Sequence, residues 1–394
     1  MTGSACYLNA LGMLCAAGAS PDAVEQRLRS GSPALSSSDG FGAERVLPLG
    51  LYEAELPALP LGQAKWQSRN NRLAFAALQQ IVAPVKAAVE RYGAERVAVI
   101  IGSSTAGIDA SEAAVQGWID DGDAPADYHY AVQEMGGSAQ FIAELLDLGG
   151  PVYGISTACS SGAKALASAR RLLAAGLCDA VIAGGVDTLC KLTVRGFSAL
   201  EAVSSSRCNP FSRNRDGINI GEGAALFLVT REAGGVRLAG AGECSDAHHI
   251  SAPEPSGAGA LRCMRKALQD AGIEAADIDY VNLHGTATPL NDEMESRAMA
   301  QLFGAGTPCS STKPFTGHTL GAAGAVEAGI CWLALTASDA WLPPQVWDGE
   351  PDPGLPRINL VEPGVPVGTR PRRVLSNSFA FGGNNIALLL ERVA

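Results

Sequence analysis

Three residues of the types that carry nucleophilic catalysis stand in Gly-, Ser- and Thr-rich loops of this chain. Cys159 lies in the run Gly154-Ile155-Ser156-Thr157-Ala158-Cys159-Ser160-Ser161-Gly162. A β-prone stretch, Val152 to Thr157, leads in; a small-residue helical pattern (Ala163, Leu166, Ala167, Ala169, Arg170, Leu173) leads out. That order predicts a thiol at the first turn of a helix, where unpaired backbone N–H groups and the helix dipole favour the attacking thiolate. A buried structural cysteine is the alternative reading. His284 ends an apolar strand in Tyr280-Val281-Asn282-Leu283-His284-Gly285-Thr286-Ala287-Thr288, and His318 precedes a second small-residue helix in Thr316-Gly317-His318-Thr319-Leu320-Gly321. Both sit at strand and helix edges, where α/β proteins place their active sites. His248 and His249 are adjacent, so they face different ways, and no third ligand is spaced near them for a metal. His129 stands alone in a polar segment.

The elements that must position these residues alternate along the chain. Val97–Ile101, Tyr153–Ser156, Ala180–Ala183, Ala225–Val229, Val236–Ala239, Tyr280–Leu283 and Ile386–Leu390 read as strands. In Ala260–Gly272, Leu261, Met264, Leu268 and Ala271 form one apolar helical stripe that Gly272 ends. Such alternation predicts an α/β protein with largely buried strands. The turn Arg231-Glu232-Ala233-Gly234-Gly235 places a boundary near residue 233, giving units 1–233 and 234–394 without visible repetition between them. Pro343–Pro371, rich in Pro and Gly, reads as extended surface segments and loops. Met1 to Ala19 lacks a charged leader and reads as strand and turn, not a signal peptide.

Composition narrows the function classes. The chain has 394 residues, 47% of them hydrophobic and 18% charged, with a formal net charge of −11. Such a balance argues against nucleic acid as the main partner, although a local basic patch is compatible with it. Ten cysteines run from Cys6 to Cys331 with no C-x-x-C spacing, so neither a zinc nor an iron–sulfur site is indicated. The scatter suits reduced thiols in the cytoplasm. No stretch of ~20 apolar residues appears for a membrane span.

Several motifs in order resemble those of one family. T-A-C-S-S-G around Cys159, N-P-F-S-R-N-R-D-G at 209–217, G-E-G-A at 221–224, H-G-T-A-T from His284, S-T-K-P-F-T-G-H-T-L-G-A-A-G with Lys313 and His318, and N-S-F-A-F-G-G-N-N from Asn377 to Asn385 run through the chain. It resembles the elongating β-ketoacyl-acyl-carrier-protein synthases of the thiolase superfamily nearly end to end. The resemblance implies a five-layered αβαβα fold of two similar halves, usually in a homodimer. It also implies a decarboxylating Claisen condensation without metal or redox cofactor, its substrates carried on the phosphopantetheine arm of acyl carrier protein.

By that resemblance Cys159 takes an acyl group, with the backbone N–H groups of Cys159 and Phe381 holding the oxyanion. His284 and His318, neutral, donate to the thioester oxygen in the second step. Lys313 is buried, pairs with Glu295 and orders the histidine loops; Asp292, three residues before Glu295, braces the loop. Thr286 and Thr288 bond the pantetheine amides, with Gly382, Gly383 and Asn385 on the same binding surface. Phe381 gates Cys159 on a Gly382-Gly383 hinge. Three positions depart from the pattern. Ala380 replaces a usual Gly, and its Cβ is expected to restrict the gate. Asn209 stands where a carrier-contacting Arg is usual, leaving Lys65, Arg69, Arg72, Arg207, Arg213 and Arg215 as candidate contacts. Thr105 falls at an acyl-pocket position expected at a dimer interface, in a loop similar to those of aryl-polyene and other specialised enzymes. The competing readings are a non-catalytic chain-length-factor-like subunit, possible partner of an active ketosynthase, and an acyl-CoA-using initiating synthase or thiolase. The Cys-His-His-Lys set weighs against all of these.

Overall fold

In each strand that crosses the middle of the molecule, side chains alternate between two apolar layers. In the strand Val97–Gly102, Ala98 and Ile100 enter one core and Val97, Val99 and Ile101 enter another. In Asn384–Arg392, Ile386, Leu388 and Leu390 face that first core while Ala387 and Leu389 face a third. Period-two burial on both faces is what a sheet between helices requires.

The computed structural model describes residues 5–42, 45–123 and 125–393. The strands are β1 (Tyr7–Cys15), β2 (Ser36–Ser38), β3 (Leu47–Leu49), β4 (Val97–Gly102), β5 (Val152–Ile155), β6 (Ala180–Asp187), β7 (Gly223–Thr230), β8 (Val236–Ser245), β9 (Tyr280–Asn282), β10 (Pro308–Ser310), β11 (Asn359–Leu360), β12 (Arg373–Ala380) and β13 (Asn384–Arg392). Among the described residues eleven of them form one sheet in the order β11-β10-β9-β12-β13-β8-β1-β7-β6-β4-β5, and β2 pairs with β3.

The sheet contains a duplication. From its centre outward, one half runs β1-β7-β6-β4-β5 and the other β8-β13-β12-β9-β10. In each, the first two junctions are antiparallel and the next two parallel. The halves meet where Tyr7 of β1 pairs with Arg237 of β8. The N-terminal reading as strand and turn corresponds to β1, and the two halves share a topology that their sequences hide.

Helices Ser161–Ala174 and Ala323–Thr336 fill the layer between the two halves. Helix Arg69–Gln80 lies outside the first half, and helix Ala258–Ala271 outside the second. The result is the expected αβαβα stack. Twelve of the fourteen residues of helix 323–336 are buried, which explains a segment that is apolar on every side. The two inner helices touch through glycine: a Cβ on Gly324 would stand 2.7 Å from Ala163 Cβ and 2.9 Å from Ser378 Oγ. Pro343–Pro371 differs from its surface reading in one place. Gln345 is fully buried, its Nε2 donating to Pro210 O (3.0 Å) and its Oε1 accepting from Ser311 N (2.8 Å). No single described helix is long and apolar enough to cross a membrane.

Gly324→Val is expected to lower the unfolding free energy by about 1–3 kcal/mol, because the neighbouring backbone cannot yield. Gly196, inside helix Lys191–Ala199, is the control, because a Cβ added there would meet nothing within 4 Å. Gly196→Ala should leave stability unchanged or raise it by up to ~1 kcal/mol. Urea denaturation of both variants checks the contrast.

Candidate active site

Cys159 sits between β5 and helix 161–174, on a turn in which Ala158 takes the left-handed conformation (φ 52°). That conformation costs a non-glycine residue about 1–3 kcal/mol. Local hydrogen bonds hold it: Ser161 Oγ accepts from Thr157 N (2.8 Å) and donates to Ala158 O (2.6 Å). Ser160 Oγ donates to Thr157 O (2.8 Å). The thiol is 6% exposed. Burial here works against the thiolate that a helix start favours. Burial pushes the Cys159 thiol up to about 12, against the smaller favourable effects of Lys313 and of the N–H groups of Phe381 and Cys159 itself. The helix start supplies donors, but desolvation outweighs them.

His318 follows β10 and precedes helix 323–336, the place in the second half that Cys159 occupies in the first. Because the two inner helices pack together, their leading loops meet. His318 Nε2 lies 3.0 Å from Cys159 Sγ. His284, after β9, packs edge-on against His318 with ring centroids 5.3 Å apart and against Phe379 at 6.1 Å. One atom of each residue, the sulfur and two ring nitrogens, lies within 4.8 Å of the others. Sequence spacing indicated no cluster of metal-ligating types, yet the fold makes this one; the Lys313 cation beside it opposes a second cation. Burial first, then Lys313, holds both histidines well below their ordinary value, with His318 adding to the effect on His284. Both are therefore neutral near pH 7, and both Nδ1 atoms are buried without a partner among the described residues.

Lys313 is 1% exposed and does not pair with Glu295 as expected. Its Nζ donates to Glu327 Oε1 (2.5 Å) and to the carbonyl oxygen of His284. Glu327 is the single charged residue of the buried helix 323–336, a signal present in the sequence that motif reading passes over. Glu295 instead orders the His284 turn, where its carboxylate accepts from the backbone N–H of His284 (2.8 Å) and Gly285 (2.7 Å) and from Asn377 Nδ2 (3.3 Å). Burial raises it to about 7. Asp292 does brace the loop, accepting from Ala287 N (3.2 Å) and Phe211 N (2.8 Å).

A second acid outside the motifs is Asp187, at the end of β6. Fully buried, it accepts from Ser103 Oγ (2.6 Å), Ser104 N (2.8 Å), Thr105 N (2.9 Å), Thr105 Oγ1 (2.9 Å) and Gly321 N (2.6 Å). It thereby fastens the loop behind Ala158 to the turn after His318. Thr105 is fully buried against it and is not among the residues that line the cavity above Cys159 in the single chain.

That cavity has Cys159, His284 and His318 at its base and Thr286, Thr288, Phe381 and Asn385 in its walls. The hydroxyls of Thr286 and Thr288 are 2.9 Å apart and bond to each other. Asn385 Nδ2 donates to Asp246 Oδ1 (2.7 Å). Phe381 packs on Phe197, unremarked in the sequence, with centroids 5.6 Å apart. Gly382 and Gly383 take left-handed φ values of 77° and 71°, and Gly382 N donates to Ile250 O (2.7 Å). Ala380 ends β12 with ordinary extended angles (φ −104°, ψ 153°), so its Cβ imposes no strain in this conformation and the turn falls on the two glycines.

The basic residues divide. Arg69 is tied to Glu222 (2.6 Å) and Tyr52 O (2.9 Å), Arg72 to Leu56 O and Pro57 O, and Lys65 to Glu144 (2.9 Å). All three hold partners within the fold while staying partly exposed. Arg215 is likewise held by Asp352 (2.5 Å). Arg213 is 57% exposed in a pair with Glu350 (2.7 Å), and Arg207 is half-buried beside Asn209 (3.4 Å). His129 and His249 each cap a backbone N–H.

Two outcomes follow from the buried charges. Glu327→Gln strands the Lys313 cation and should cost about 3–5 kcal/mol, while Lys313→Met/Glu327→Leu recovers most of that loss; urea denaturation of the three proteins measures both. The histidines stay neutral in the fold but protonate near pH 6.5 when unfolded. Their contribution is therefore complete above that pH and is lost as pH falls below it, by up to about 1.4 kcal/mol per histidine per pH unit. A His284→Asn/His318→Asn protein should lose stability more gently than the parent between pH 6.5 and 5, and equal slopes would contradict the assignment.

The chain matches the family models described as the β-ketoacyl synthase N-terminal domain over residues 50–234 and the β-ketoacyl synthase C-terminal domain over residues 236–346. Nodulation protein E of Rhizobium meliloti (strain 1021) is 32% identical, covering 98% of each chain. A 3-oxoacyl-[acyl-carrier-protein] synthase 2 of Staphylococcus aureus (strain COL) is 33% identical over 84% of this chain and 83% of that protein. A chain from the solved complex of the ketosynthase ApeO with its chain length factor ApeC, from Xenorhabdus doucetiae, is 46% identical with a TM-score of 0.94, covering 99% of this chain and 98% of that one. With both halves of the molecule matched and the shared topology extending across them, the chain belongs to the β-ketoacyl synthase family.

Proposed function

We propose that this chain is a decarboxylating β-ketoacyl-acyl-carrier-protein synthase of a fatty-acid or related specialised acyl pathway. The observation that carries the reading is the meeting of Cys159, His284 and His318 within 4.8 Å, beside the buried Lys313. In the first step the Cys159 sulfur attacks the carbonyl of an acyl thioester on carrier protein. With the thiol at about 12 little free thiolate is present, so the sulfur gives up its proton as the S–C bond forms, while His318 keeps its Nε2 proton and donates to the sulfur 3.0 Å away. The carrier thiol departs with a proton, leaving acyl-Cys159. The Phe381 and Cys159 N–H groups, already turned toward the sulfur, supply donors for the oxyanion.

In the second step a malonyl thioester enters the same cavity and loses carbon dioxide. The enolate that remains attacks the acyl carbon, the C–S bond to Cys159 breaks, and the β-ketoacyl thioester leaves on the carrier while the released sulfur takes up a proton from solvent. His284 and His318 donate to the thioester oxygen while charge builds there. Burial and Lys313 support this role because they keep both rings neutral. The backbone bonds to Glu295 fix the His284 turn, and the Lys313 ammonium grips the same turn through the His284 carbonyl. Thr286 and Thr288 lie on the cavity wall, where the pantetheine amides would pass. No redox cofactor is needed by this sequence of steps.

The partners follow as part of the proposal. Acyl carrier protein delivers both substrates, with Arg207, Arg213 and the partly exposed Lys65, Arg69 and Arg72 as cationic contacts. A second subunit, either another copy or a ketosynthase-like chain, covers the edge strand β5 and the helix Ile108–Asp121. That helix exposes Val115 (52%), Trp118 (60%) and Ile119 (67%). The ketosynthase–chain length factor complex among the similar structures supports the mixed form. Ten unpaired cysteines support a reducing compartment, the cytoplasm.

Intact-mass measurement after incubation with acyl-carrier protein should show one acyl adduct, absent from Cys159→Ala. His284→Asn and His318→Asn should each lose about 10²–10³-fold in condensation with malonyl-carrier protein. His284→Asn should still become acylated. Acylation that persists in Cys159→Ala, or equal acylation by acyl-CoA without carrier, would overturn the reading.

A further inference from the structure

Outside the Cys159 centre, the described residues bring two other thiols together. Cys244 lies on β8 and Cys263 on helix 258–271, which packs over that strand. The approach is unusually close because Gly240, Gly242 and Gly259 carry no Cβ: one on Gly242 would collide with Cys263 O, and one on Gly259 with Asp246 Oδ1. Cys263 Sγ donates to Gly242 O (2.7 Å), and Cys244 Sγ donates to Gly259 O (3.0 Å). Gly242 and Cys244 share a strand face, and Gly259 and Cys263 are one helical turn apart. The two bonds therefore cross the same gap side by side.

The two thiols differ in access and charge. Of the ten cysteines, Cys244 alone is partly exposed. The Cys263 thiol, the Arg262 guanidinium and the Asn385 amide hold Cys244 down to about 6 against its burial, whereas burial pushes Cys263 well up. Cys159, by contrast, is raised to about 12. A low-pKa thiol beside a protected one is the arrangement of an attacking and a resolving cysteine. Cys244 does not line the catalytic cavity but stands directly behind one residue that does, Asn385. It is the register partner of Asn385, whose Nδ2 is 3.9 Å from the sulfur and donates to Asp246 (2.7 Å).

We propose that Cys244 and Cys263 form an oxidisable dithiol between β8 and helix 258–271, Cys244 reacting first with a hydroperoxide and Cys263 resolving the product. The Cys244 sulfur attacks the peroxide O–O bond, gains oxygen as a sulfenic acid and releases hydroxide. That hydroxide takes up the proton that Cys244 gives up, together with its bond to Gly259 O, on becoming the attacking thiolate, and leaves as water. The Cys263 sulfur then displaces the sulfenic oxygen, and its own proton leaves with that oxygen as a second water. One S–S bond forms, one O–O bond breaks, and two electrons pass from the sulfur pair to the peroxide.

The test uses the full-length native protein treated with hydrogen peroxide at pH 7, blocked with iodoacetamide and digested with trypsin. Cleavage after Arg262 separates the two thiols onto peptides 238–262 and 263–265. The expected result is a disulfide between these peptides, formed about tenfold or more faster than Cys159 is lost. Cys263→Ser should instead yield Cys244 as a dimedone-reactive sulfenic acid, and Cys244→Ser neither product. Oxidation of Cys159 ahead of Cys244, or Cys244 recovered as free thiol from oxidised native protein, overturns the proposal whether or not the variants fold.

Discussion

The ion pair between Lys313 and Glu327 is the constraint on which the centre depends. Both side chains are 2% exposed, so neither charge can be solvated from outside. An unpaired ammonium at that depth would shed its proton or unfold the loop. With Glu327 fixed on a helix buried on all sides, the cation is held where it grips the His284 carbonyl and lowers both imidazoles. The neutrality of the two rings rests first on their burial and second on this cation, whose place is set by one carboxylate in the middle of an apolar helix.

Geometry is supplied by the duplication. Cys159 and His318 occupy matching places before two inner helices, and the contact of those helices brings the loops within 3.0 Å. Asp187 then fastens these loops from behind through backbone and hydroxyl donors. Residues in left-handed conformation stand close to each reactive side chain: Ala158 before Cys159, Ala287 after His284 and Leu320 after His318. Strain of this kind persists only where the surrounding contacts over-determine it, and here the buried carboxylates provide those contacts.

The sequence is most legible where a chemical type recurs in a motif. Cys159, His284, His318, Lys313 and the Phe381 loop are all identifiable, and the alternating strands predict an α/β layering. Long-range electrostatic partners are less accessible. Glu295 and Glu327 flank Lys313 along the chain, so order alone does not choose between them. In the fold the oxygens of Glu295 are taken by backbone N–H groups, and Glu327 holds the cation. The resting state of Cys159 escapes sequence reading because a helix start is visible there, whereas complete desolvation is not. The partners of basic residues 65, 69 and 72 are hidden for a related reason: the carboxylates and carbonyls that hold them are not evident from their own segment. The internal repeat stays hidden because a sheet topology can be kept by strand order alone while its side chains change.

The glycine contact between the inner helices has a consequence for how such a catalyst diversifies. With Gly324 against Ala163 and Gly162 against Ala325, the floor beneath Cys159 has no room to deepen or shift. New acyl preferences must then arise from the rim, where Phe197, Phe381 and Leu200 sit on loops and helix ends, or from a neighbouring subunit. Mutational freedom is therefore displaced from the packed centre of the architecture to its margins, where the product can change while the core that performs the reaction stays as it is.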